Sequence, residues 1–227
     1  MTCAERPHLN STVSRLLDGA ERNLLSHGYK GASIRRITEE AGANVAAINY
    51  HFGSKRALFA ELFQRRFQPV ALRRAELLQA IEASASNSIE DIVLAYFGTL
   101  FRYRESAGEQ VAAVIWMLLN GDPEASQLAS ECMGDGYTAL LRRYAQALAR
   151  AIPDVPMKEL KWRLEMMERF ALCVIAGPRA GWTAKAIDFS DAGATRTHGS
   201  LGDGLVAIIQ ACIQAPRTVP LESPGRI

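Results

Sequence analysis

Cysteine and histidine are scarce in this sequence, with four of each among 227 residues. The cysteines stand far apart, at positions 3, 132, 173 and 212, with no CxxC pair and no histidine at metal-ligand spacing. A disulfide framework or a zinc site needs closer and more regular spacing than this. The sequence therefore predicts no metal ion and no cofactor.

Long apolar runs are missing as well. The first ten residues are polar and do not resemble a signal peptide. The apolar stretches elsewhere are too short and too interrupted to span a bilayer. We therefore expect a cytoplasmic protein that has no membrane partner.

The motifs of the common enzyme classes are also absent. The chain contains no HExxH, no phosphate-binding P-loop, no GxGxxG after a strand and no Ser/His/Asp cluster. The short Gly-Asp-Gly sequences at 134–136 and 202–204 lack the rest of a phosphate loop. The sequence predicts a protein that is not an enzyme.

Charge is unevenly distributed along the chain, although the net charge is only +2. Residues 1–74 contain 12 basic and 6 acidic residues, whereas residues 75–227 contain 14 and 18. The basic N-terminal part can face a polyanion while the remainder stays away from it. A chance fluctuation explains the same asymmetry, so charge alone does not establish that the chain binds a polyanion.

Helical periodicity dominates what is present, and it predicts an all-α fold of about nine helices. Gly28 and Gly42 are expected to end the first two helices, and Asn44 and Ser54 to cap the third and fourth. Pro69 should kink or interrupt the fourth helix. The predicted organisation is an N-terminal three-helix helix-turn-helix domain (11–56), a helical C-terminal domain (57–215) and a flexible tail (216–227).

The segment 33–56 carries the predicted chemistry. Two short helices meet at a glycine-containing turn and must pack on the helix at 11–27, because short helices are unstable alone. The third helix is expected to enter the major groove of DNA, with Val45 and Ile48 facing the core. Polar side chains at its surface can bind base edges or phosphates, and alanines let its backbone approach the groove floor.

Lys55 lies in the first turn of the fourth helix, where a lysine opposes the helix dipole. The same position suits a DNA phosphate, so we expect a phosphate contact there. Each of these residues also has an ordinary structural explanation as a surface or core residue. The predicted DNA-binding set is Ser33, Arg35, Asn44, Ala46, Ala47, Asn49, Tyr50, His51 and Lys55.

The sequence Asn-Tyr-His-Phe-Gly-Ser-Lys at 49–55, followed by Ala-Leu-Phe at 57–59, resembles the signature that closes the DNA-binding domain of the TetR/AcrR regulators. Gly28-Tyr29 and the segment 33–42 fit the same pattern, and the resemblance covers about residues 12–63. It implies a homodimeric repressor that binds palindromic double-stranded operator DNA and is released by a small apolar effector. The sequence at 46–55 is also similar to that of a fatty-acid-responsive branch of the family. This similarity implies that the effector is a fatty acid or an acyl thioester.

The resemblance further implies an effector pocket inside the C-terminal domain. Large apolar and methionine side chains suit such a pocket, and they suit an ordinary core equally well. Arg102 and Arg104 are candidates to bind a carboxylate. The predicted lining is Phe97, Phe101, Trp116, Met117, Trp162, Met166 and Phe170.

The resemblance also implies that the last two helices form a four-helix dimer interface, although the same apolar faces can serve an intramolecular core. The predicted interface residues are Leu164, Leu172, Ile175, Leu205, Ile208, Ile209 and Ile213. Other hypotheses stay open. The same DNA-binding domain can be switched by cysteine oxidation or by a protein partner, and the protein can activate transcription instead of repressing it.

Overall fold

The computed structural model describes residues 12–84, 88–107, 110–176 and 201–215, and these are helical apart from short connections. The helices are α1 (Thr12–Gly31), α2 (Ile34–Ala41), α3 (Val45–His51), α4 (Lys55–Ser84), α5 (Ile89–Val93), α6 (Thr99–Ala107), α7 (Gln110–Asn120), α8 (Pro123–Ala151), α9 (Met157–Ala176) and α10 (Leu201–Gln214). One turn of π-helix, Leu94–Gly98, joins α5 to α6 without a break. When α5, the π turn and α6 are counted as one continuous helix, the described ranges contain nine helices. The all-α prediction is therefore confirmed.

The predicted stop and start signals of the N-terminal helices are in place. Gly28 breaks the helical backbone of α1 with φ +69°, and Gly42 ends α2 in the left-handed conformation. The side chain of Asn44 accepts a hydrogen bond from the backbone N–H of Ala47 at 3.2 Å. The Ser54 hydroxyl accepts one from the first turn of α4 at 3.1 Å. These caps fix where each helix begins and ends.

The three N-terminal helices enclose a small apolar core with the start of α4. Leu16, Leu24, Ile37 and Ile48 are fully buried in it. The helices α1 and α2 approach so closely that a Cβ on Gly19 would lie 2.9 Å from the carbonyl oxygen of Ile37. Glycine at this position therefore sets the packing distance between the two helices.

Helix α4 links the N-terminal domain to the rest of the molecule. It runs for 30 residues, Lys55 to Ser84, which corresponds to about 45 Å. Pro69 does not interrupt it, so the predicted interruption is wrong. Phe67 and Val70 are buried on either side of the proline, and this packing holds both halves of the helix in place.

The C-terminal helices pack around the second half of α4. Helices α7, α8 and α9 contact one another, and α10 lies against α9. The buried Arg163 of α9 donates to the backbone carbonyls of Ile213 and Ala215, both at 2.7 Å, and so caps the end of α10. None of the described helices is both long enough and apolar enough to cross a bilayer.

Candidate DNA-binding surface and effector cavity

Helix α3 presents a polar outer surface on an apolar anchor. Ile48 is fully buried, as expected, whereas Asn49, Tyr50 and His51 are exposed. Tyr50 is 85% exposed, and its ring packs edge-on against the His51 ring with 4.9 Å between the ring centres. Val45 does not face the core as predicted, because it is 47% exposed in the first turn of α3. An exposed apolar group at this end of the helix can contact a thymine methyl.

The small residues of α3 differ in accessibility. Ala46 is exposed, whereas Ala47 is half-buried and packs against the core. Asn44 is exposed, but its side-chain oxygen is engaged as the helix cap. Ala46 is therefore the alanine that the structure leaves accessible to a groove floor.

At the start of α2, two further predicted residues lie at the surface. Ser33 has the extended backbone of an N-cap residue, yet its side chain makes no capping hydrogen bond. The Arg35 side chain is exposed and pairs with Glu39 at 2.9 Å. Because exposed ion pairs contribute little to stability, Arg35 can exchange Glu39 for a phosphate oxygen at low cost.

Lys55 lies in the first turn of α4, as predicted, and makes contacts that the sequence did not indicate. Its ammonium donates to the backbone carbonyl of Tyr29 at 2.7 Å and lies 5.0 Å from the centre of the Tyr29 ring. Burial lowers the pKa of Lys55, while Glu124 and Asp122 act in the opposite direction. Lys55 therefore ties the start of α4 to the end of α1.

Polar contacts join the DNA-binding domain to the C-terminal domain. The Tyr29 hydroxyl donates to Glu124 of α8 at 3.4 Å, and Arg56 pairs with Glu131 of α8 at 2.5 Å. The nearly buried Glu21 of α1 accepts two hydrogen bonds from Arg66 of α4, at 2.6 and 2.9 Å. These contacts join α1 to both α4 and α8.

A buried polar cluster crosses the C-terminal domain and consists of Arg74, Tyr96, Tyr137 and Glu168, hereafter the Arg74 cluster. Arg74 is fully buried, and its Nε donates to the backbone carbonyl of Tyr96 at 2.8 Å. Its Nη1 donates to the Tyr137 hydroxyl at 2.8 Å and to Glu168 at 2.6 Å. The hydroxyls of Tyr96 and Tyr137 each donate to Glu168 at 2.9 Å. The cluster therefore joins α4 to α8, α9 and the π turn.

The protonation states of this cluster follow from its burial. Burial raises the pKa of the Tyr96 and Tyr137 hydroxyls, and the charge of Glu168 raises it further. Burial acts to lower the pKa of Arg74, but Tyr137 and Glu168 outweigh it and the pKa stays above its ordinary value. At neutral pH both hydroxyls are therefore donors and Arg74 is a cation.

A cavity of about 220 Å³ lies between α4, α8, α9 and the end of α7. Tyr137 and Glu168 of the Arg74 cluster form part of its wall. Gly134, where the backbone of α8 leaves the helical conformation, lies beside them. The other described lining residues are Phe67, Leu119, Asn120, Ser130, Met133, Thr138, Leu141, Glu165, Arg169 and Leu172.

The structure does not bring the seven predicted pocket residues together. Phe97 and Phe101 are buried, and Trp116 and Met117 are half-buried against the core. Trp162, Met166 and Phe170 are 55%, 42% and 40% exposed on the outer face of α9. None of the seven is among the described residues that line the cavity. Arg102 lies instead beside an open groove with Leu77 and Leu94, and the Arg104 side chain is outside the described residues.

Sequence reasoning missed the Arg74 cluster, although a signal was available. Arg74 follows Val70 and precedes Leu78 at four-residue steps, on the buried stripe of α4. Glu168 has the same relation to Leu164 and Leu172 on α9. A charged residue on an apolar helical stripe indicates a buried, paired charge.

The predicted interface residues mostly face inward. Leu164, Leu172, Ile209 and Ile213 are buried inside the single chain, so they present no surface to a partner. Ile208 is exposed on α10. The side chains of Ile175 and Leu205 lie outside the described residues. The apolar faces of α9 and α10 are wide enough to pack inward and still leave large side chains outside.

Two family models match this chain. Residues 16–62 match the model for "Bacterial regulatory proteins, tetR family", and residues 94–198 match the one for "Tetracyclin repressor-like, C-terminal domain". Together they cover more than half of the chain. The first match coincides with α1–α3 and the start of α4, and the second begins at the π turn.

Named relatives are transcriptional repressors. The "HTH-type transcriptional repressor AcnR" of Corynebacterium efficiens is 26% identical over 185 residues, which span 80% of this chain and 91% of that protein. The "HTH-type transcriptional repressor Rv1474c" of Mycobacterium tuberculosis is 40% identical over 55 residues, 24% of this chain and 29% of that protein. These relatives agree with the prediction that the chain is not an enzyme.

Solved structures share the fold over nearly the whole chain. The fatty acid degradation regulator FadR from Bacillus halodurans superposes with a TM-score of 0.61 at 16% identity, covering 89% of this chain and 98% of that one. FadR from Bacillus subtilis, in complex with stearoyl-CoA, gives 0.54 at 16% identity, covering 88% and 95%. Fold, family models and named relatives agree, and the chain belongs to the TetR family of bacterial transcriptional regulators.

Proposed function

We propose that this protein is a homodimeric repressor that binds a palindromic operator through α3 and is released by a small effector bound in the C-terminal domain. The observation that carries the proposal is the construction of α3. Ile48 anchors the helix in the core, while Asn49, Tyr50 and His51 face solvent. A short anchored helix with exposed polar side chains is what major-groove recognition requires.

Repression, as opposed to activation, is supported by the relatives, which are named as repressors. The excess of basic residues in the first 74 positions supports DNA binding. Asn49 is our candidate for contact with an adenine edge, and Tyr50 and His51 are candidates for phosphate contacts.

The dimer interface that we propose lies on the exposed side of α9 and α10. Trp162, Met166 and Phe170 follow one another at four-residue steps and form one exposed apolar stripe, and Ile208 of α10 is exposed as well. Exposed apolar side chains of this size, arranged contiguously, indicate a surface that another protein covers. Dimers are typical of the family, and a two-fold interface would place the same stripe on both partners.

The effector site that we propose is the cavity between α4, α7, α8 and α9. The apolar part of its lining, which includes Phe67, Met133 and Leu172, and the structural neighbour solved with stearoyl-CoA support an apolar or acylated ligand. Such a ligand can release DNA only if it binds more tightly to the conformation that does not fit the operator. Helix α4 contributes Phe67 to the cavity and begins at the DNA-binding domain, so it is the element through which binding would act.

A switch by cysteine oxidation is less well supported than a small-molecule switch. Burial raises the pKa of the Cys132 and Cys173 thiols, which keeps them protonated at neutral pH. Thiolates, not thiols, react quickly with oxidants. Cys212 is exposed on α10.

The test is selection of bound duplexes from random oligonucleotides, followed by titration of the selected duplex with wild-type protein and with Asn49→Ala. We expect a palindromic consensus. Asn49→Ala should lose about 1–3 kcal/mol of affinity for the selected duplex, because one base contact is removed. Its urea unfolding midpoint should not change, since the side chain is exposed.

Gln79→Ala is the matched control, because it removes an exposed amide from α4 outside the DNA-binding domain. This variant should bind the selected duplex like the wild type. If selection returned no preferred sequence, the proposed function would be refuted. Equal losses for both variants would contradict the role assigned to α3.

A further inference from the structure

Helix α3 lacks the side chains that most often recognise guanine. Its seven residues, Val45–His51, include neither arginine nor lysine. Arginine and lysine bind the O6 and N7 atoms of guanine in the most frequent base-specific contact, whereas asparagine binds the N6 and N7 atoms of adenine. Asn49 is the amide side chain of α3, and it is exposed. The composition of the helix therefore favours adenine over guanine.

Val45 is an apolar side chain that packing within the chain does not explain. It is 47% exposed, whereas Ala47 of the same helix is half-buried and packs against the core. Valine is also a weaker helix former than alanine, so helix stability does not explain it either. The C5-methyl of thymine is the apolar group that base pairs present in the major groove. An exposed branched aliphatic side chain on a recognition helix therefore fits thymine.

Val45 and Asn49 lie on the same side of α3. They are four residues apart, and side chains at this spacing are neighbours on a helix surface. Both are exposed, while Ile48 is fully buried and fixes the opposite side of the helix in the core. The first residues of the recognition helix contact base edges in a helix-turn-helix. The two side chains can therefore contact neighbouring base pairs of one half-site.

The exposed basic side chains of α2 suit phosphates better than bases. Arg35 and Arg36 lie in the first turn of α2. The first helix of a helix-turn-helix crosses the DNA backbone, so cations on it contact phosphates. His51 is the last residue of α3, at the opposite end of the helix from Val45. Base recognition by α3 therefore depends on the side chains at its beginning and middle.

We propose that α3 recognises A·T base pairs, and that Val45 contacts a thymine methyl beside the adenine assigned to Asn49. The proposal rests on the proposed function and narrows it, since it names the bases that the operator presents to this helix. Val45 determines specificity because a methyl distinguishes thymine from the other three bases in the major groove. Burial of one methyl group corresponds to about a four-fold gain in affinity for each half-site.

The test uses the duplex selected from random oligonucleotides, with each thymine of the half-site replaced in turn by deoxyuridine in both half-sites at once. Deoxyuridine lacks the methyl group of thymidine and still pairs with adenine. We expect one of these replacements to weaken binding by wild-type protein by about ten-fold, since one methyl contact is lost in each half-site. Val45→Ala should bind the selected duplex more weakly by a similar factor, and that replacement should not weaken it further.

Leu72→Ala is the control, because it shortens an exposed aliphatic side chain of α4 outside the DNA-binding domain. This variant should bind the selected duplex like the wild type and should respond to deoxyuridine in the same way. Alanine is a better helix former than valine and the position is exposed, so Val45→Ala should fold like the wild type.

A wild type that no deoxyuridine replacement weakens overturns the inference. A Val45→Ala protein that keeps the wild-type response to deoxyuridine overturns it too, as does a selected half-site made of G·C pairs alone. In each of these cases a palindromic consensus leaves the proposed function standing. Selection that returns no preferred duplex refutes both proposals.

Discussion

Lys55 shows how a single side chain can take a structural position that its sequence context does not reveal. A lysine in the first turn of a helix is unfavourable for the helix dipole, and this favours an anion contact. In the folded chain the ammonium donates a hydrogen bond to the backbone carbonyl of Tyr29, near the end of α1. An ammonium has three N–H groups, so the contact with Tyr29 still allows a phosphate to bind.

The two roles of Lys55 are separable by measurement. Lys55→Met keeps the apolar stem and removes the ammonium, and we expect a loss of about 1–3 kcal/mol in the free energy of unfolding because a carbonyl loses a charged partner. Urea denaturation measures this. Lys30→Met, in which an exposed lysine of α1 is replaced, should leave the free energy of unfolding unchanged.

Salt titration of DNA binding measures the other role of Lys55. If its ammonium also binds a phosphate, Lys55→Met should reduce the slope of log K against log salt by about one. A variant with wild-type stability and a reduced slope would show that Lys55 serves DNA alone. A variant with wild-type values for both would leave Lys55 without either role.

Single residues were predictable where local chemistry determines them. Gly42, Asn44 and Ser54 act on neighbouring backbone groups, so their functions as helix caps could be read from the sequence. The partners of Arg74 come from three other elements, and only the tertiary fold brings them together. Its place on an apolar stripe indicated burial but not the identity of those partners.

At the scale of the helices, the irregular points of α8 and α5–α6 lie where the helices surround the interior of the C-terminal domain. Gly134 in α8 has φ +59° and ψ −169°, a combination that is essentially restricted to glycine. The Thr138 hydroxyl donates to the Gly134 carbonyl, four residues earlier, at 3.2 Å. The break allows α8 to follow the wall of the cavity.

Two glycines of α8 provide a matched pair for testing that break. Gly134→Ala should destabilise the protein by about 1–3 kcal/mol, because alanine does not tolerate this backbone conformation. Gly136, two residues later, has a helical backbone and open space around the position of a Cβ. Gly136→Ala should therefore stabilise the protein by about 0.5–1 kcal/mol.

Thermal and urea unfolding measure the change in the free energy of unfolding of each glycine variant. The two changes have opposite signs if α8 is broken at Gly134. Stabilisation by both substitutions would mean that α8 is a continuous helix in solution. The sequence around the two glycines does not distinguish them, because both stand in the same Gly-Asp-Gly run. Only the fold shows that the backbone leaves the helical conformation at Gly134 and not at Gly136.

The same limit applies to α9, where periodicity identifies apolar stripes but not the direction in which each one faces. Leu164 and Leu172 were predicted for the dimer interface, and they are buried inside the chain. Trp162, Met166 and Phe170 were predicted for the pocket, and they are exposed. A helix that contacts both a core and a partner has two apolar faces, so one sequence cannot assign them.

For the whole molecule, we propose that the exposed stripe of α9 determines whether two DNA-binding domains act together. Met166 lies in the middle of that stripe, between Trp162 and Phe170. Met166→Glu would place a charge at the centre of an apolar interface, where burial without a partner is costly. We expect a dimer for the wild type and a monomer for the variant in light scattering coupled to size-exclusion chromatography.

Loss of the dimer should also weaken DNA binding, because one chain contacts only half of a palindrome. Linked binding of two half-sites typically adds about 10²- to 10⁴-fold to the affinity, and Met166→Glu should lose most of that gain. Gln146→Glu adds the same charge to an exposed position of α8 and should remain dimeric with full affinity. A dimeric Met166→Glu protein would exclude this stripe as the interface, and a monomeric variant with undiminished affinity would mean that one copy suffices to bind the operator.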